Sequence, residues 1–247
     1  MRPLADYHTH TRWSHGSGSI ADNLRAAEQL GLHTLGIAEH GPSLLFVGVP
    51  SRRWQALREA VTHAPISATR LLFNIEANVI STAGDIDVPL GIRDNLDMLL
   101  VGLHPRVVPE GLESWWAFYG LRWLGLLSRR WRHRLYDAFT QALVSCVQSQ
   151  RVDIVTHPGY GLPIDTAELA AVCARRGARL EINCRHLAAI ERDIARAAKN
   201  KEVEFVLSSD AHHPEDIGRF AAGCKYVDSI GIDRERIINV AWQEKAR

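Results

Sequence analysis

The chain begins its first strand in the histidine-rich stretch Asp6-Tyr7-His8-Thr9-His10-Thr11-Arg12-Trp13-Ser14-His15-Gly16. Residues two positions apart on a strand point to the same side, so His8 and His10 can face one point together. His15 follows on a turn with Gly16, close enough to fold back toward that point. Because converging imidazoles suit a divalent transition metal, the stretch predicts a metal site rather than three ordinary surface histidines.

Further potential ligands stand at the polar ends of later apolar runs. Four of these runs end in Glu39-His40, Leu103-His104-Pro105, Thr156-His157-Pro158 and Ser209-Asp210-Ala211-His212, and a fifth carries Glu76. In a barrel of parallel strands, the carboxyl ends of all strands meet at one rim. The pattern therefore predicts a parallel α/β barrel with its ligands gathered on that rim.

Seven apolar runs alternate with helical patterns, which is one unit short of the usual eight of a TIM barrel. The predicted strands cover residues 4–10, 32–40, 71–80, 96–104, 152–157, 178–184 and 204–209. The predicted helices cover residues 19–30, 51–63, 135–150, 165–176 and 188–200, with a short helix from Pro214 and a last helix at 233–245. A small hairpin is predicted near 85–89.

The composition fits one barrel-sized domain, although 247 residues would also suffice for two small ones. A net charge of +1 gives no general attraction to nucleic acid or to a membrane surface. The four cysteines are widely spaced and form no CxxC pair, which indicates a reducing compartment rather than a disulfide framework. No apolar run reaches the length of a membrane span, and the early first strand leaves no room for a signal peptide. We therefore expect a cytoplasmic protein.

The alternation of predicted strands and helices stops between about residues 105 and 135. This segment holds the four tryptophans Trp115, Trp116, Trp123 and Trp131, and its later part also carries five arginines, namely Arg122, Arg129, Arg130, Arg132 and Arg134. A helical insertion that packs on the barrel, or on a second subunit to form a homo-oligomer, is the favoured interpretation. A substrate lid and a membrane-surface or nucleic-acid patch remain as alternatives.

The candidate ligands outnumber what a single metal ion can take. They are His8, His10, His15, His40, Glu76, His104, His157, Asp210 and His212. Three protein ligands suffice for a catalytic zinc, so this set predicts two or three divalent ions with Glu76 and Asp210 as bridges. Neighbouring ions can hold a hydroxide and clamp the oxygens of a phosphoryl group. The chain contains no GxSxG, P-loop or HExxH motif that would indicate another hydrolytic mechanism.

The whole set of motifs resembles the PHP (polymerase and histidinol phosphatase) family of metal-dependent phosphoesterases. The features that match are His8-Thr9-His10-Thr11 with His15-Gly16, Glu39-His40, Glu76, Gly102-Leu103-His104-Pro105, Thr156-His157-Pro158-Gly159 and Ser209-Asp210-Ala211-His212. The resemblance covers nearly the whole chain in order, and it implies a single distorted (βα)7 barrel over 1–247 with a trinuclear site. Zinc, manganese and iron are all expected in such a site.

The resemblance also implies how the ligands divide among three ions. The first ion would take His8, His10, Glu76 and Asp210, which are the implied catalytic residues around a metal-held hydroxide. The second would take His15, His40 and His212. The third would take His104 and His157, with Glu76 as a bridge.

Substrate contacts are predicted from arginines that follow strand ends. Arg185, Arg12 and Arg106 should lie on the ligand rim, where guanidinium groups can bind a phosphate. Cys184 is a further, minor ligand candidate. Asp6 would either orient an imidazole or make a strand-end hydrogen bond, whereas His186 and three other histidines without a motif are expected to face solvent. Those three are His33, His63 and His133.

The residues favour hydrolysis of a small phosphomonoester through a metal-bridging hydroxide. A nucleotide or oligonucleotide phosphodiesterase, holding its strand on the arginine-rich segment, is the first alternative; nucleic acid is not favoured because the chain is nearly neutral. A non-enzymatic metal-binding interaction module is the alternative from another class. No residue pattern identifies the substrate itself.

Overall fold

The computed structural model describes residues 1–242. Its strands are β1 Arg2–Pro3, β2 Ala5–Thr9, β3 Thr34–His40, β4 Arg70–Asn78, β5 Met98–Gly102, β6 Ile154–Val155, β7 Arg179–Asn183, β8 Phe205–Ser208 and β9 Val240–Ala241. Its α-helices are α1 Ile20–Gln29, α2 Trp54–Thr62, α3 Gly111–Trp115, α4 Leu121–Gly125, α5 Arg129–Ser149, α6 Thr166–Arg176, α7 Leu187–Ala197 and α8 Ala221–Ile230. Strands β2 to β8 form one parallel sheet in chain order, curled into a nearly closed barrel with interleaved helices. The predicted (βα)7 TIM-like barrel is thus confirmed.

Asn239 joins β2 and β8, the first and last strands of the barrel, at the seam where the barrel closes. Its side-chain amide accepts from the backbone N–H of Leu207 at 3.0 Å and donates to the backbone oxygens of Leu207 and Ala5 at 2.7 and 2.8 Å. Its own backbone oxygen accepts from Leu4 N at 2.9 Å. A single buried asparagine therefore satisfies groups on both β2 and β8 that would otherwise lack a partner.

Replacing Asn239 with alanine is expected to lower the free energy of unfolding by about 3 kcal/mol, because three buried backbone groups lose their partner. Urea unfolding of the metal-free protein measures this change. Asn95→Ala, which removes one hydrogen bond to Gly91 O at the surface, is the matched control and should change stability much less. Equal effects of the two substitutions would contradict this role of Asn239.

Asp6 on β2 also connects to the chain that follows β8 at this seam. Its carboxylate accepts from the backbone N–H groups of Ser209 at 3.2 Å and Gly218 at 2.9 Å. Burial raises the pKa of Asp6 to about 6, against the lowering effect of these hydrogen bonds. Of the two roles expected for Asp6, the structure shows the strand-end hydrogen bonds.

The apolar residues form two groups that the alternation of the strands explains. The larger group lies between the sheet and the surrounding helices and includes Trp54, whose indole N–H donates to Val49 O at 2.9 Å. The smaller group is Ala38, Leu100, Ile154 and Val206, one residue from each of four strands. Since alternate residues of a barrel strand point inward, this small group fills the barrel interior below the polar rim.

Capping residues mark several of the helix boundaries. Ser19 and Asp22 form a capping box at the start of α1, and Asp165 caps α6. Gly177 ends α6 in the left-handed conformation, with φ of 72°. Residues 51–53 form a 3₁₀ turn that leads into α2, so the predicted helix at 51–63 is confirmed.

Several boundaries differ from the predictions. Helix α5 begins at Arg129 rather than near 135, because Ser128 supplies an N-cap within the basic segment. Helix α8 was not predicted. The predicted last helix at 233–245 is wrong over 233–242, where a 3₁₀ turn leads into β9, and residues 243–245 lie outside the described part. In place of a full hairpin near 85–89, a single antiparallel bridge joins Val79 and Ile86.

The segment from about 105 to 135 is helical, as predicted, and contains α3, a π-helical turn at Trp116–Gly120 and α4. Phe118 and Leu121 join the main core, whereas Trp123 is 73% exposed. Among residues 1–242, no helix is both long and apolar enough to cross a membrane.

Candidate metal centre

All nine predicted ligands lie together at the carboxyl ends of the barrel strands. His8, His40 and Glu76 belong to strands β2, β3 and β4, and the other six stand on the loops that follow strand ends. Parallel pairing of β3 with β4 sets His40 directly opposite Glu76. The register of the sheet therefore converts ligands distant in sequence into one cluster.

Glu76 is the centre of the cluster. Its Oε2 lies 2.8 Å from His40 Nδ1 and 3.3 Å from His8 Nε2. Its Oε1 lies 2.8 Å from His157 Nε2 and 3.3 Å from His104 Nε2. One buried carboxylate thus faces four imidazoles from four different strand ends.

Asp210 occupies the other side of His8 and His10. Its Oδ1 lies 3.3 Å from His10 Nε2 and 3.8 Å from His8 Nε2. Its Oδ2 accepts from Asn183 Nδ2 at 3.1 Å. His212, two residues further on, turns its Nδ1 to within 3.5 Å of the same carboxylate.

His15 closes the cluster on the solvent side. Its ring stacks on His40 at a centroid distance of 4.9 Å, and its Nε2 meets Nε2 of His212 at 2.5 Å. His15 is exposed, and His212 and His104 are partly buried, whereas the other six ligands are buried. His15 and His212 form the solvent edge of the cluster.

Several buried atoms of the cluster make no hydrogen bond, although they lie close together. They are His10 Nδ1, His40 Nδ1, Glu76 Oε2 and both ring nitrogens of His104. An unpaired buried polar atom costs free energy, so atoms of this kind that face one another fit cations placed between them. The donor set of imidazoles and carboxylates suits zinc, manganese or iron.

Four overlapping groups of three residues have ligand atoms within 4.8 Å of one another. They are His10 with His15 and His40; His8 with His10 and Glu76; His10 with Asp210 and His212; and His40 with Glu76 and His104. His10 belongs to three of these groups, and Glu76 and His40 each belong to two. Such overlapping groups suit more than one ion. The third set expected from the sequence is His104 and His157 with Glu76 as a bridge, and both imidazoles lie beside Glu76 Oε1, at 3.3 and 2.8 Å.

The electrostatics of the cluster favour positive charge at its centre. Burial alone would raise the pKa of Glu76, but His8, His40 and His104 hold that pKa well below its usual range. Burial alone would lower the pKa of His10, but the neighbouring carboxylates of Asp210 and Glu39 raise it to about 9. The carboxylates are therefore ionised at neutral pH, and a bound cation would compete with protons for these imidazoles.

At the solvent edge, the pKa values of the imidazoles are lowered, in contrast to the raised pKa of His10. Burial, followed by the charge of His10, lowers the pKa of His15 to about 4 and that of His212 to about 3. These two side chains are therefore neutral at neutral pH, which is the form that binds metal ions.

Two buried carboxylates that the sequence analysis did not propose as site residues support the cluster from below. Glu181 accepts from His8 Nδ1 at 2.7 Å and from the backbone N–H of His157 at 2.7 Å. Glu39 accepts from Thr11 N at 2.8 Å and from the Ser14 hydroxyl. Glu181 could have been found by strand alternation, because it lies two residues before Asn183 and on the same inner face.

Backbone geometry at the cluster is unusual. His157 and Asp210 adopt positive φ angles of 27° and 51°, a region that costs energy for residues other than glycine. A Cβ on Gly102 would lie 2.5 Å from Thr156 Oγ1 and 3.2 Å from His157 Cε1, so glycine is required there. Strain and close packing are thus concentrated where the ligands lie.

His186 was predicted to face solvent, and this prediction is wrong. Its ring stacks on Tyr160 at a centroid distance of 3.8 Å, and its Nε2 lies 3.4 Å from Asp210 Oδ2. Its backbone N–H donates to Asn183 Oδ1 at 3.0 Å, which turns the residue back toward the site after β7 ends. The predictions for the other three histidines without a motif are confirmed, because His33, His63 and His133 are exposed.

A cavity of about 560 Å³ opens directly above the cluster. Arg106, Arg185 and the unpredicted Arg122 line it, and the 44–47 loop forms an apolar wall. Arg12 does not line it, because its guanidinium lies 3.4 Å from Asp22 and borders a different cleft. Cys184 does not line it either.

Known proteins similar to this chain include curated phosphatases. No family model matches the chain. Probable phosphatases of Shewanella sediminis and Clostridium acetobutylicum are 29% and 27% identical over 248 residues, covering 97% of this chain and 90% and 91% of those proteins. The histidinol phosphate phosphatase of Lactococcus lactis, solved with zinc, L-histidinol and phosphate, has a TM-score of 0.56 at 12% identity over 94% of this chain and 95% of that chain.

Proposed function

We propose that this chain is a metal-dependent phosphatase that hydrolyses a small phosphomonoester at the nine-residue cluster. The observation that carries the proposal is the set of buried, unpaired ligand atoms around Glu76. The names of the similar curated proteins support the same reaction class. The motif set and the barrel further support membership of the PHP family.

The residues fit two or three divalent ions. Glu76 and Asp210 each have two oxygens that can bridge ions, and the surrounding imidazoles supply the remaining ligands. Zinc, manganese and iron all suit this donor set, and zinc is present in the histidinol phosphate phosphatase of similar fold. Such ions lower the pKa of a bound water and neutralise phosphoryl oxygens.

The chain itself contributes binding and orientation. Arg106, Arg185 and Arg122 border the cavity and can bind the two or three free oxygens of a phosphate. Asn183 Nδ2 donates to both Asp210 and Glu181, at 3.1 and 3.0 Å, and so fixes the orientation of both carboxylates. No separate protein nucleophile is needed for this arrangement.

A monoester is favoured over a diester because the apolar 44–47 loop, rather than basic residues, lines one side of the cavity. A continuous strand would need an open track lined by basic groups at regular spacing. A phosphodiesterase would therefore hydrolyse diesters in preference to monoesters, whereas the proposed phosphatase would prefer monoesters.

Metal removal and replacement test the proposal. The wild-type protein is treated with a chelator, then reloaded with zinc, manganese or iron, and phosphate release is measured on a panel of monoesters with bis(p-nitrophenyl) phosphate as the diester. We expect activity to disappear with the metal and to return with at least one of the ions, with monoesters preferred by roughly tenfold or more in kcat/KM. A diester preference would favour the phosphodiesterase, and bound metal without turnover would indicate a binding module.

A further inference from the structure

A second cavity of about 810 Å³ lies beside the metal-facing one, between α4, α5 and the 161–163 loop. We call it the arginine cleft. Its lining includes the four arginines Arg122, Arg129, Arg132 and Arg196. Of these four arginines, only Arg122 also borders the metal-facing cavity.

The charge of the arginine cleft is only partly offset, by Asp193 near Arg196 and by Asp165 near Tyr136. No aspartate or glutamate lines the cleft itself. Among residues 1–242, no carboxylate lies within 4.0 Å of any of the four guanidiniums. Arg122 donates instead to Pro105 O at 2.8 Å, and Arg196 to the Tyr136 hydroxyl at 3.2 Å. Guanidinium groups without a carboxylate partner around a concave surface form a receptor for an anion.

Two of these arginines stand at an electrostatically unfavourable place. Arg129 and Arg132 lie in the first turn of α5, which contains no acidic residue. The amino end of a helix carries a partial positive charge, so added cations there repel it. A bound anion beside these side chains would relieve this repulsion.

The remaining walls of the cleft are apolar. Leu126, Leu135, Leu162, Pro163 and the ring of Tyr136 line it. An isolated inorganic ion would leave these walls without a contact. The lining therefore fits an anionic group attached to an apolar or aromatic segment.

The cleft and the metal-facing cavity are adjacent. Arg122 lines both of them. Pro105 borders the metal-facing cavity and Gly161 borders the cleft, and a Cβ on Gly161 would lie 3.3 Å from Pro105 Cγ. A molecule bound at the metal ligands that passes Arg122 would therefore reach the cleft.

We propose that the arginine cleft binds a second anionic group of the same substrate whose phosphoester is hydrolysed at the metal cluster. The proposal rests on the proposed phosphatase function. It assigns the substrate class: a phosphomonoester joined through an apolar segment to a second phosphate, phosphonate or carboxylate. Arg129, Arg132 and Arg196 determine this specificity without touching the reacting phosphate.

Matched synthetic substrates test the proposal. Alkyl phosphates of increasing spacer length are prepared with either a phosphonate or a methyl group at the far end. The phosphonate carries the second charge but cannot itself be hydrolysed as an ester. At one spacer length or more, we expect the wild-type protein to prefer the phosphonate-ended compound by roughly tenfold in kcat/KM, mainly through KM.

The double variant Arg129→Gln/Arg132→Gln should lose this preference and leave turnover of the methyl-ended compound unchanged. Arg130→Gln/Arg175→Gln removes the same charge from exposed positions that do not line the cleft, and it should keep the preference. Equal kcat/KM for both ends at all lengths, or equal effects of the two double variants, would overturn the proposal.

Failure of this proposal differs from failure of the phosphatase proposal. If the methyl-ended compound is hydrolysed but no charged-end preference appears, only the cleft assignment is wrong. If neither compound releases phosphate, calorimetric titration with the corresponding alkane bisphosphonate still tests the cleft. Binding that weakens in Arg129→Gln/Arg132→Gln, but not in the control pair, supports the anion site, and unchanged binding overturns it.

Discussion

Replacing Glu76 with glutamine is expected to remove at least one metal ion per chain and to lower phosphate release on the order of 1000-fold. Glu76 faces His8, His40, His104 and His157 within 3.3 Å. A glutamine keeps the shape but loses the negative charge, and it presents an N–H donor to ring nitrogens that must bind metal. Elemental mass spectrometry and phosphate release from a monoester measure the two effects.

Two further variants make the Glu76 result specific. Glu113→Gln changes an exposed glutamate of α3 by the same atoms and should leave metal content and activity unchanged. Glu76→Asp keeps the charge and should retain part of the metal. Cooperative unfolding of Glu76→Gln and Glu113→Gln is checked first. Full metal content and full activity in Glu76→Gln would then show that the cluster is not the metal centre.

Replacing Glu181 with glutamine is expected to weaken metal binding by roughly 10- to 100-fold, although Glu181 is not among the predicted ligands. Glu181 accepts the Nδ1–H of His8 at 2.7 Å and so leaves Nε2 of that ring free to bind metal. A glutamine can instead donate to Nδ1, which places the proton on Nε2 and blocks it. Titration of the metal-free protein with zinc, in competition with a chromophoric chelator, measures the change.

The same substitution is expected to lower the stability of the metal-free protein by about 3 kcal/mol, because a buried charge pair loses one partner. Burial alone would raise the pKa of Glu181, but His8 lowers it, so the carboxylate's contribution is full above its ordinary pKa of 4.5 and fades as pH falls further. The pKa of His8 is raised, because Glu76 and Glu181 outweigh burial, so its contribution is full below 6.5 and fades as pH rises. The stability difference should therefore be largest between pH 4.5 and 6.5.

Glu204→Gln is the control for the stability measurement. It breaks a pair with Arg179 at 3.1 Å on the surface, where Glu204 is 49% exposed, and such pairs contribute little. If Glu181→Gln changed stability no more than this control, the buried pair with His8 would not have the role described here.

The seven barrel strands could be predicted because each is a short apolar run that ends in a polar, chemically distinctive residue. Periodicity and caps are local properties, so the helices predicted at 19–30 and 165–176 agree with α1 and α6, which begin after the capping residues Ser19 and Asp165. The last helix was placed wrongly, because its pattern is short and the chain there is held by β1 and by Asn239 instead. Contacts between the two ends of a chain are not visible in any local window.

The predicted ligands could be found because imidazoles and carboxylates at strand ends form a pattern along the chain. Glu181 was missed, although strand alternation places it on the same inner face as Asn183. His186 could not be singled out, since it looks like an ordinary loop residue until the barrel closes. Arg12, in contrast, was expected on the ligand rim but does not line the cavity there. It follows a strand end, as Arg106 and Arg185 do, yet its side chain turns toward Asp22 and away from the cavity.

The sequence by itself therefore determined the class of fold and the identity of the nine clustered side chains, because both follow from the order of residue types along strands. Only the tertiary structure decided which ligands share a neighbour, which carboxylates orient them, and that four arginines from two distant segments line one cleft. The physical reason is that grouping, burial and charge depend on distances across the barrel, and these are set by strand register and closure rather than by sequence spacing.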